Sequence, residues 1–374
     1  MKHKIRSMIF KKNKFVVYFA VLIILASCSA TSKNLQKNLN GFIETSGNKN
    51  FQEIYEYQGY FVNDLKIIQQ AIESGNLNQE QVRDAKLLKR NYQKILAKDK
   101  FLIQLNPNQQ YSLDLIKLIY QQNLPINILW TDKIKSPLPE NLLSTKINGF
   151  CSSLYNESIS SINKEINKNT DSILVIYSQE YESLIENLES YNSNLATLKY
   201  NSINFQEFAA ETLEINLSNK RFQKISNLNP NQNLKFAPRS RSDFQQIVLF
   251  VQPQEYKAMI PALRYHGGNK FKYLNFISSL EEINNPLQLL DYEDSFANIS
   301  ILLSERIKSN NLVSLEKFLE QGILSDWLLI QILKQSGVQS ANINSITGTI
   351  TYKSNTCTSR EIPLKEITTD LFSS

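Results

Sequence analysis

The chain has 374 residues, 42% of them apolar and 20% charged, a balance that supports a packed core and excludes wholesale disorder. Its formal net charge of +6 comes from 41 basic against 35 acidic residues, and the six basic residues Lys2, Lys4, Arg6, Lys11, Lys12 and Lys14 account for the whole excess. The remainder is balanced, without the concentrated basic footprint a nucleic-acid binder needs, so that class is excluded.

The basic start runs into an unbroken apolar stretch, Phe15 to Ala26. That is about twelve residues, against roughly twenty for a helix that spans a bilayer. A charged region, a short apolar region and a small-residue site are the three parts of a secretory signal, and Leu25-Ala26-Ser27-Cys28 resembles the lipobox of bacterial lipoproteins. Residues 1–27 are therefore expected to be a signal peptide, cleaved before Cys28. The new terminal cysteine would be acylated and held in membrane lipid, at about 0.8 kcal/mol for each buried methylene. Residues 28–50 are polar and without periodicity, and read as a tether.

In 51–99 the pattern changes. Ile54, Tyr57, Tyr60, Phe61, Leu65, Ile68 and Ile72 recur at three- and four-residue steps, as one face of a helix does. Gly75-Asn76 breaks the run, and a second helix is expected over Asn78–Lys98 with Val82, Ala85, Leu88 and Tyr92 inward. A helical hairpin is the expectation.

From residue 100 onward short apolar runs alternate with helical patterns. Strands are expected at Phe101–Leu105, Ile126–Trp130, Ser172–Tyr177, Leu195–Tyr200, Ile247–Val251 and Phe271–Phe276. Helices are expected at Tyr111–Gln121, Glu180–Tyr191, Phe205–Leu217 and Gln254–Tyr265. Such alternation predicts an α/β fold with doubly wound parallel sheets. Ile343–Tyr352 and Arg360–Ile367 read as two strands of a closing hairpin joined through Ser354-Asn355.

Several stretches resemble the LppC family of lipoproteins, activators of penicillin-binding proteins. They are Ser240-Arg241-Ser242-Asp243, Ile247–Val251, Pro253, Met259-Ile260-Pro261 with Leu263, Phe276–Ser279, the Gly322–Trp327 helix start, and Ile346–Ile350 with Gly348 and Arg360. Departures are the absence of glycine after Leu105, a short section between Trp130 and Phe150, and Leu290–Asp294 in place of a Pro-Trp pair. The resemblance implies a two-lobed body over 100–374 like the type I periplasmic-binding proteins, with a second lobe of about 171–285 plus the hairpin 341–374. It implies no catalysis, no cofactor, a penicillin-binding protein as partner, and a role in peptidoglycan synthesis. The anchor would lie in the outer membrane facing the periplasm, which Ser29 after the cysteine suits. The alternative is a solute-binding lipoprotein that delivers a small ligand to a transporter.

A solute receptor would hold its ligand on the loops after the strand ends. The cleft candidates there are Asn106, Asn108, Thr131, Asp132, Ser152, Ser153, Ser178, Gln179, Gln252, Ser278 and Ser279. Strand-end groups that satisfy the backbone are the plainer expectation, and no small-molecule ligand is expected. Arg239, Arg241 and Asp243 are expected to fix the loop that enters the strongest strand, and Pro261 and Gly348 to be structural. His266-Gly267-Gly268 reads as a glycine-capped helix end. His266, Cys151 and Cys357, far apart in the chain after Cys28, make no metal set. The acidic pairs Glu281-Glu282 and Asp291 with Glu293-Asp294 read as solvated surface or a helix start. Cys151 and Cys357 are either free or joined in one long-range disulfide, which sequence leaves open.

Overall fold

The computed structural model describes residues 68–371, apart from 99, 122–123, 125, 134–137, 169–171, 192–194, 202–203, 229–234 and 309–313. The expected signal peptide, the lipidation site Cys28, the tether and the expected first helix as far as residue 67 lie outside the described residues.

Residues 68–73 are helical, with Ile68 and Ala71 buried. Gly75, at φ +70, makes the turn. Helix α1 (Gln79–Leu96) starts at a capping box: the Asn78 side chain accepts from the Gln81 N–H, and the Gln81 side chain accepts from the Asn78 N–H. Such a cap contributes about 1 kcal/mol. Ala85 is buried and Val82 half-buried, which agrees with the expected inward face.

Strand β1 (Phe101–Leu105), helix α2 (Ser112–Gln121) and strand β2 (Ile126–Trp130) form a parallel unit, Phe101 opposite Ile126. Among the described residues this sheet has two strands. Helix α3 (Leu154–Asn167) follows, capped by the Ser153 hydroxyl, which accepts from the Asn156 N–H at 3.2 Å.

The main sheet begins with β3 (Ile173–Tyr177), α4 (Glu182–Tyr191) and β4 (Leu195–Lys199). The expected helix over Phe205–Leu217 is two helices, α5 (Phe205–Thr212) and α6 (Ile215–Leu228). Between them Glu214 adopts φ +57, a left-handed conformation that an α-helix does not continue through. Strand β5 (Gln246–Phe250) is buried along its length, and helix α7 (Tyr256–Gly267) leads to β6 (Lys272–Asn275) and β7 (Ser295–Asn298).

Strands β4, β3, β5, β6 and β7 lie side by side in that order, all parallel. Counted from β3 this is the order 2-1-3-4-5 of a doubly wound sheet, whose topological switch point lies between β3 and β5. The class is α/β, as expected. Ile247, Val248, Leu249 and Phe250 are fully buried, each side chain contributing roughly 1.5–3 kcal/mol.

Helices α8 (Ile301–Lys308) and α9 (Leu315–Gln335) come next. Gly322 lies within α9 rather than at a helix start, and a Cβ there would stand 2.8 Å from Ile346. The glycine lets the helix approach the turn at Ile346-Thr347. That turn divides the expected single strand Ile343–Tyr352 into β8 (Ser340–Ser345) and β9 (Gly348–Lys353). Gly348 has φ +139, and a Cβ would meet the Glu361 carbonyl at 2.5 Å, so it is structural, as expected.

The expected strand Arg360–Ile367 also divides. Strand β10 (Ser359–Glu361) pairs with β9, and β11 (Leu364–Glu366) crosses to pair antiparallel with β7. Pro363 between them supplies no N–H to a ladder. The main sheet thus takes in β7, beyond the expected boundary near 285, together with β11 from the segment 341–374 that was expected to belong to it. Asn91 of α1 donates to the Ser340 carbonyl at 3.0 Å, and Gln335 of α9 bonds both backbone groups of Leu102. Among the described residues no helix is long and apolar enough to cross a membrane.

Candidate functional site

In a doubly wound sheet the ligand position is the crevice at the carboxyl ends of the strands, at the switch point. Here those ends present Ser178 after β3, Gln252 after β5 and Ser278 after β6. One carboxylate gathers the first two. The Ser178 hydroxyl donates to Glu255 at 2.7 Å, and the Gln252 N–H donates to the same oxygen at 2.8 Å. The Gln252 side chain turns aside to Glu180 at 3.0 Å. Glu255, which sequence reasoning did not single out, therefore occupies the switch point itself. Ser178 is 5% exposed.

The neighbouring strand end is closed as well. Ser278 and Ser279 are fully buried in a short 3-10 turn, so neither lines an open cleft. The Ser278 hydroxyl lies 3.4 Å from that of Tyr256, whose hydroxyl also donates to the Leu249 carbonyl at 3.0 Å. Above them α3 forms a roof. The Tyr155 ring meets Phe276 edge-on at 4.8 Å, and its hydroxyl donates to Glu281. Ser158 donates to Asn298 at the end of β7 and accepts the Ile277 N–H. Tyr181 completes the lid, edge-on to Phe276 at 5.8 Å.

Burial raises the titrating groups under this roof. The Glu281 carboxyl is pushed up to about 7, although the Tyr155 hydroxyl works against the shift. The Tyr181 hydroxyl is pushed up to about 12, again by burial first. Glu282 beside it accepts from Gln254 at 2.9 Å, so the two adjacent acids face different partners. Of the other acidic group, Asp294 pairs with Arg264 at 2.6 Å.

Behind the roof lies a buried charge cluster. Glu157 of α3 and Asp326 of α9 are 6% and 3% exposed, and Arg360 of β10 stands between the two acids electrostatically. Its guanidinium is 3.5 Å from Glu157 and 4.3 Å from the centre of the Phe150 ring. Ser152 donates to Glu157 at 2.9 Å, which removes it from the cleft candidates. Ser345 and Thr347 donate to Asp326. Burial pushes Glu157 up to about 7 and Asp326 to about 6, with Arg360 opposing both. Cys151 and Cys357 form a disulfide across 206 residues, which ties the start of α3 to the loop before β10.

The remaining candidates sit elsewhere. Asn106 accepts from the Asn108 N–H at 2.9 Å and, through its carbonyl, from Ser112 at 2.7 Å. These bonds shape the β1–α2 turn. Asp132 is exposed after β2, and no hydrogen bond among the described residues links it, Asn106 or Asn108 with the switch point. Arg241 holds Asp243 by two bonds, one at 2.7 Å, and its carbonyl accepts from Lys270 at 2.7 Å. They fix the entry to β5, as expected; the Arg239 side chain does not share in this. His266 stands in the last turn of α7, with Gly268 at φ +58 ending the helix, as the glycine-cap reading expects. Pro261 lies half-buried inside the same helix. Comparison with protein families, with curated proteins and with solved structures finds no match to this chain.

Proposed function

We propose that this chain is an exported, lipid-anchored binding module, without catalysis, that docks onto a penicillin-binding protein and stimulates peptidoglycan synthesis. The observation that carries the reading is the filled crevice. Where a solute receptor would hold its ligand, Glu255 takes up the hydrogen bonds of Ser178 and Gln252, and the α3 roof covers the adjoining strand ends. Recognition is then left to the outer surface, as in a protein-binding regulator. The 2-1-3-4-5 strand order supports the finer reading of the main sheet as one lobe of a body like the type I periplasmic-binding proteins. The Cys151–Cys357 disulfide supports export, since such bonds persist in oxidising compartments. The anchor would be acylated Cys28, in the outer membrane facing the periplasm.

An activator of this kind needs only to bind the active form of its enzyme better than the resting form, which shifts the population. The test is crosslinking in cells followed by a pull-down through a C-terminal tag. Recovery of a bifunctional penicillin-binding protein is expected. Recovery of transporter subunits with no wall synthase would overturn the reading in favour of a solute receptor, as would stabilisation by a metabolite of about 2.7 kcal/mol at a hundredfold excess over its dissociation constant.

A further inference from the structure

We infer that the groove between α6 and the segment 235–243 is a docking site for an acidic peptide segment bearing apolar side chains, on a partner protein. It deepens the docking reading above and rests on it only for who the partner is.

The groove lies at the amino ends of β3 and β5, opposite the filled crevice. The Arg241 N–H bonds the Leu213 carbonyl at 3.0 Å, and the Gln245 N–H bonds the Ser172 carbonyl at 3.3 Å. The cavity measures about 630 Å³, and Arg221, Lys235, Arg239 and Arg241 line it against Glu214 and Asp243. Asp243 is committed to Arg241. Among the described residues the side chains of Arg221, Lys235 and Arg239 have no hydrogen-bond or ion-pair partner. Three uncommitted cations on one concave surface attract anions, and arginine in particular takes carboxylates in a two-pronged geometry.

The apolar part of the groove points the same way. Helix α6 has fourteen residues, and Ile215 at its start is its buried residue among those described. A helix of that length is marginal without tertiary packing. Its Ile225 is 52% exposed instead of entering the core, and Phe236 of the facing segment is 38% exposed. Phe222 stacks on Phe236 at 4.1 Å, making an aromatic step within the cavity. An exposed apolar face rimmed by charge marks an interaction surface. Its concavity favours a narrow chain segment over a lipid bilayer, which meets convex faces. The charges require that segment to be acidic.

The test uses the full-length protein in a non-ionic detergent and a short fluorescent peptide alternating Glu with Phe, read by anisotropy. The peptide is expected to bind, to weaken steeply with added salt, and to bind at least tenfold more weakly to the double variant Arg221→Glu/Arg239→Glu. A Gln–Phe peptide is expected to bind poorly. The double variant Arg221→Gln/Arg239→Gln gives the same direction without new charge repulsion, and Lys117→Glu, elsewhere on the surface, should change nothing. Equal binding of the Gln–Phe peptide, or unchanged binding by both double variants, would overturn the proposal. So would binding of a short-chain, water-soluble phosphatidylglycerol that both double variants lose, with no binding of the acidic peptide. If the cellular pull-down recovers a synthase equally well from the double variants, the groove fails while the regulator reading stands. If the acidic peptide binds as described but the pull-down recovers no synthase, the groove stands and the partner's identity fails.

Discussion

The two ends of the five parallel strands are built in opposite ways. At the carboxyl end the polar groups meet one another: Glu255 takes Ser178 and Gln252, Tyr155 takes Glu281, and Ser158 takes Asn298. At the amino end the side chains of Arg221, Lys235 and Arg239 have no hydrogen-bond or ion-pair partner among the described residues, and lie beside exposed Ile225 and Phe236. A buried polar group must be paired or it costs stability, whereas an exposed cation costs little whether paired or not. Side chains at the closed end are therefore expected to act on stability, and those at the open end on recognition. On the reading proposed above, recognition moves away from the carboxyl ends of the strands, where the usual rule for doubly wound sheets places it.

The sharpest test of the closed end is Arg360→Ala. It leaves Glu157 and Asp326 buried without their cation, and urea unfolding should show a loss of about 3–5 kcal/mol. A loss below about 1 kcal/mol would mean that the cluster is not holding the roof. Replacing both Cys151 and Cys357 by Ser frees a long loop and should cost about 2–5 kcal/mol. Dithiothreitol should lower the stability of the native protein by a similar amount and leave the double variant unchanged.

The third prediction concerns pH. Burial holds the Glu157 and Glu281 carboxyls up at about 7, above their ordinary 4.5. The folded state then binds these protons more tightly than the unfolded chain, so their contribution to stability is full below 4.5. It is lost as pH rises through about 7, and is flat above that. Glu281→Gln should flatten this fall by about 1 kcal/mol in urea midpoints measured across the range. An unaltered pH profile would place Glu281 in solvent rather than under the roof. The smallest effect belongs to the open end. Arg239→Glu should alter unfolding stability by less than about 0.5 kcal/mol, and a larger loss would make the groove part of the scaffold.

Much of the scaffold is readable from residues alone. Ile247–Val251 is an apolar run bounded by polar residues, and it is the buried strand β5 with its start shifted by one residue. The Asn78 start of α1 is visible because a capping box is local. The break at Glu214 is not visible, because neither glycine nor proline marks that left-handed turn. The turn at Ile346-Thr347 does carry a local sign in Gly348, at φ +139, whereas the Asp326 carboxylate on α9 that accepts from Ser345 and Thr347 is not readable from neighbouring residues. Helix α3 is only weakly marked: Leu154, Tyr155, Ile159, Ile162 and Ile166 recur near helical spacing, but many of its other positions are polar.

The site divides along the same line. Ser178 and Gln252 were legible as strand-end residues, and the switch point does bring them together. Glu255 was not, because its role depends on β3 and β5 being neighbours, which strand order decides. The disulfide was likewise undecidable at a separation of 206 residues. Arg239 was expected to fix a loop, and only the three-dimensional arrangement separates its uncommitted side chain from the paired Arg241.

The most direct test of the contrast between the two ends is site-specific photo-crosslinking in living cells, with the probe placed at Phe236 or at Gln252 in otherwise native chains. The account predicts a protein adduct from Phe236, containing a penicillin-binding protein, and none from Gln252. Protein adducts from Gln252 with none from Phe236 would contradict it and return recognition to the carboxyl ends of the strands.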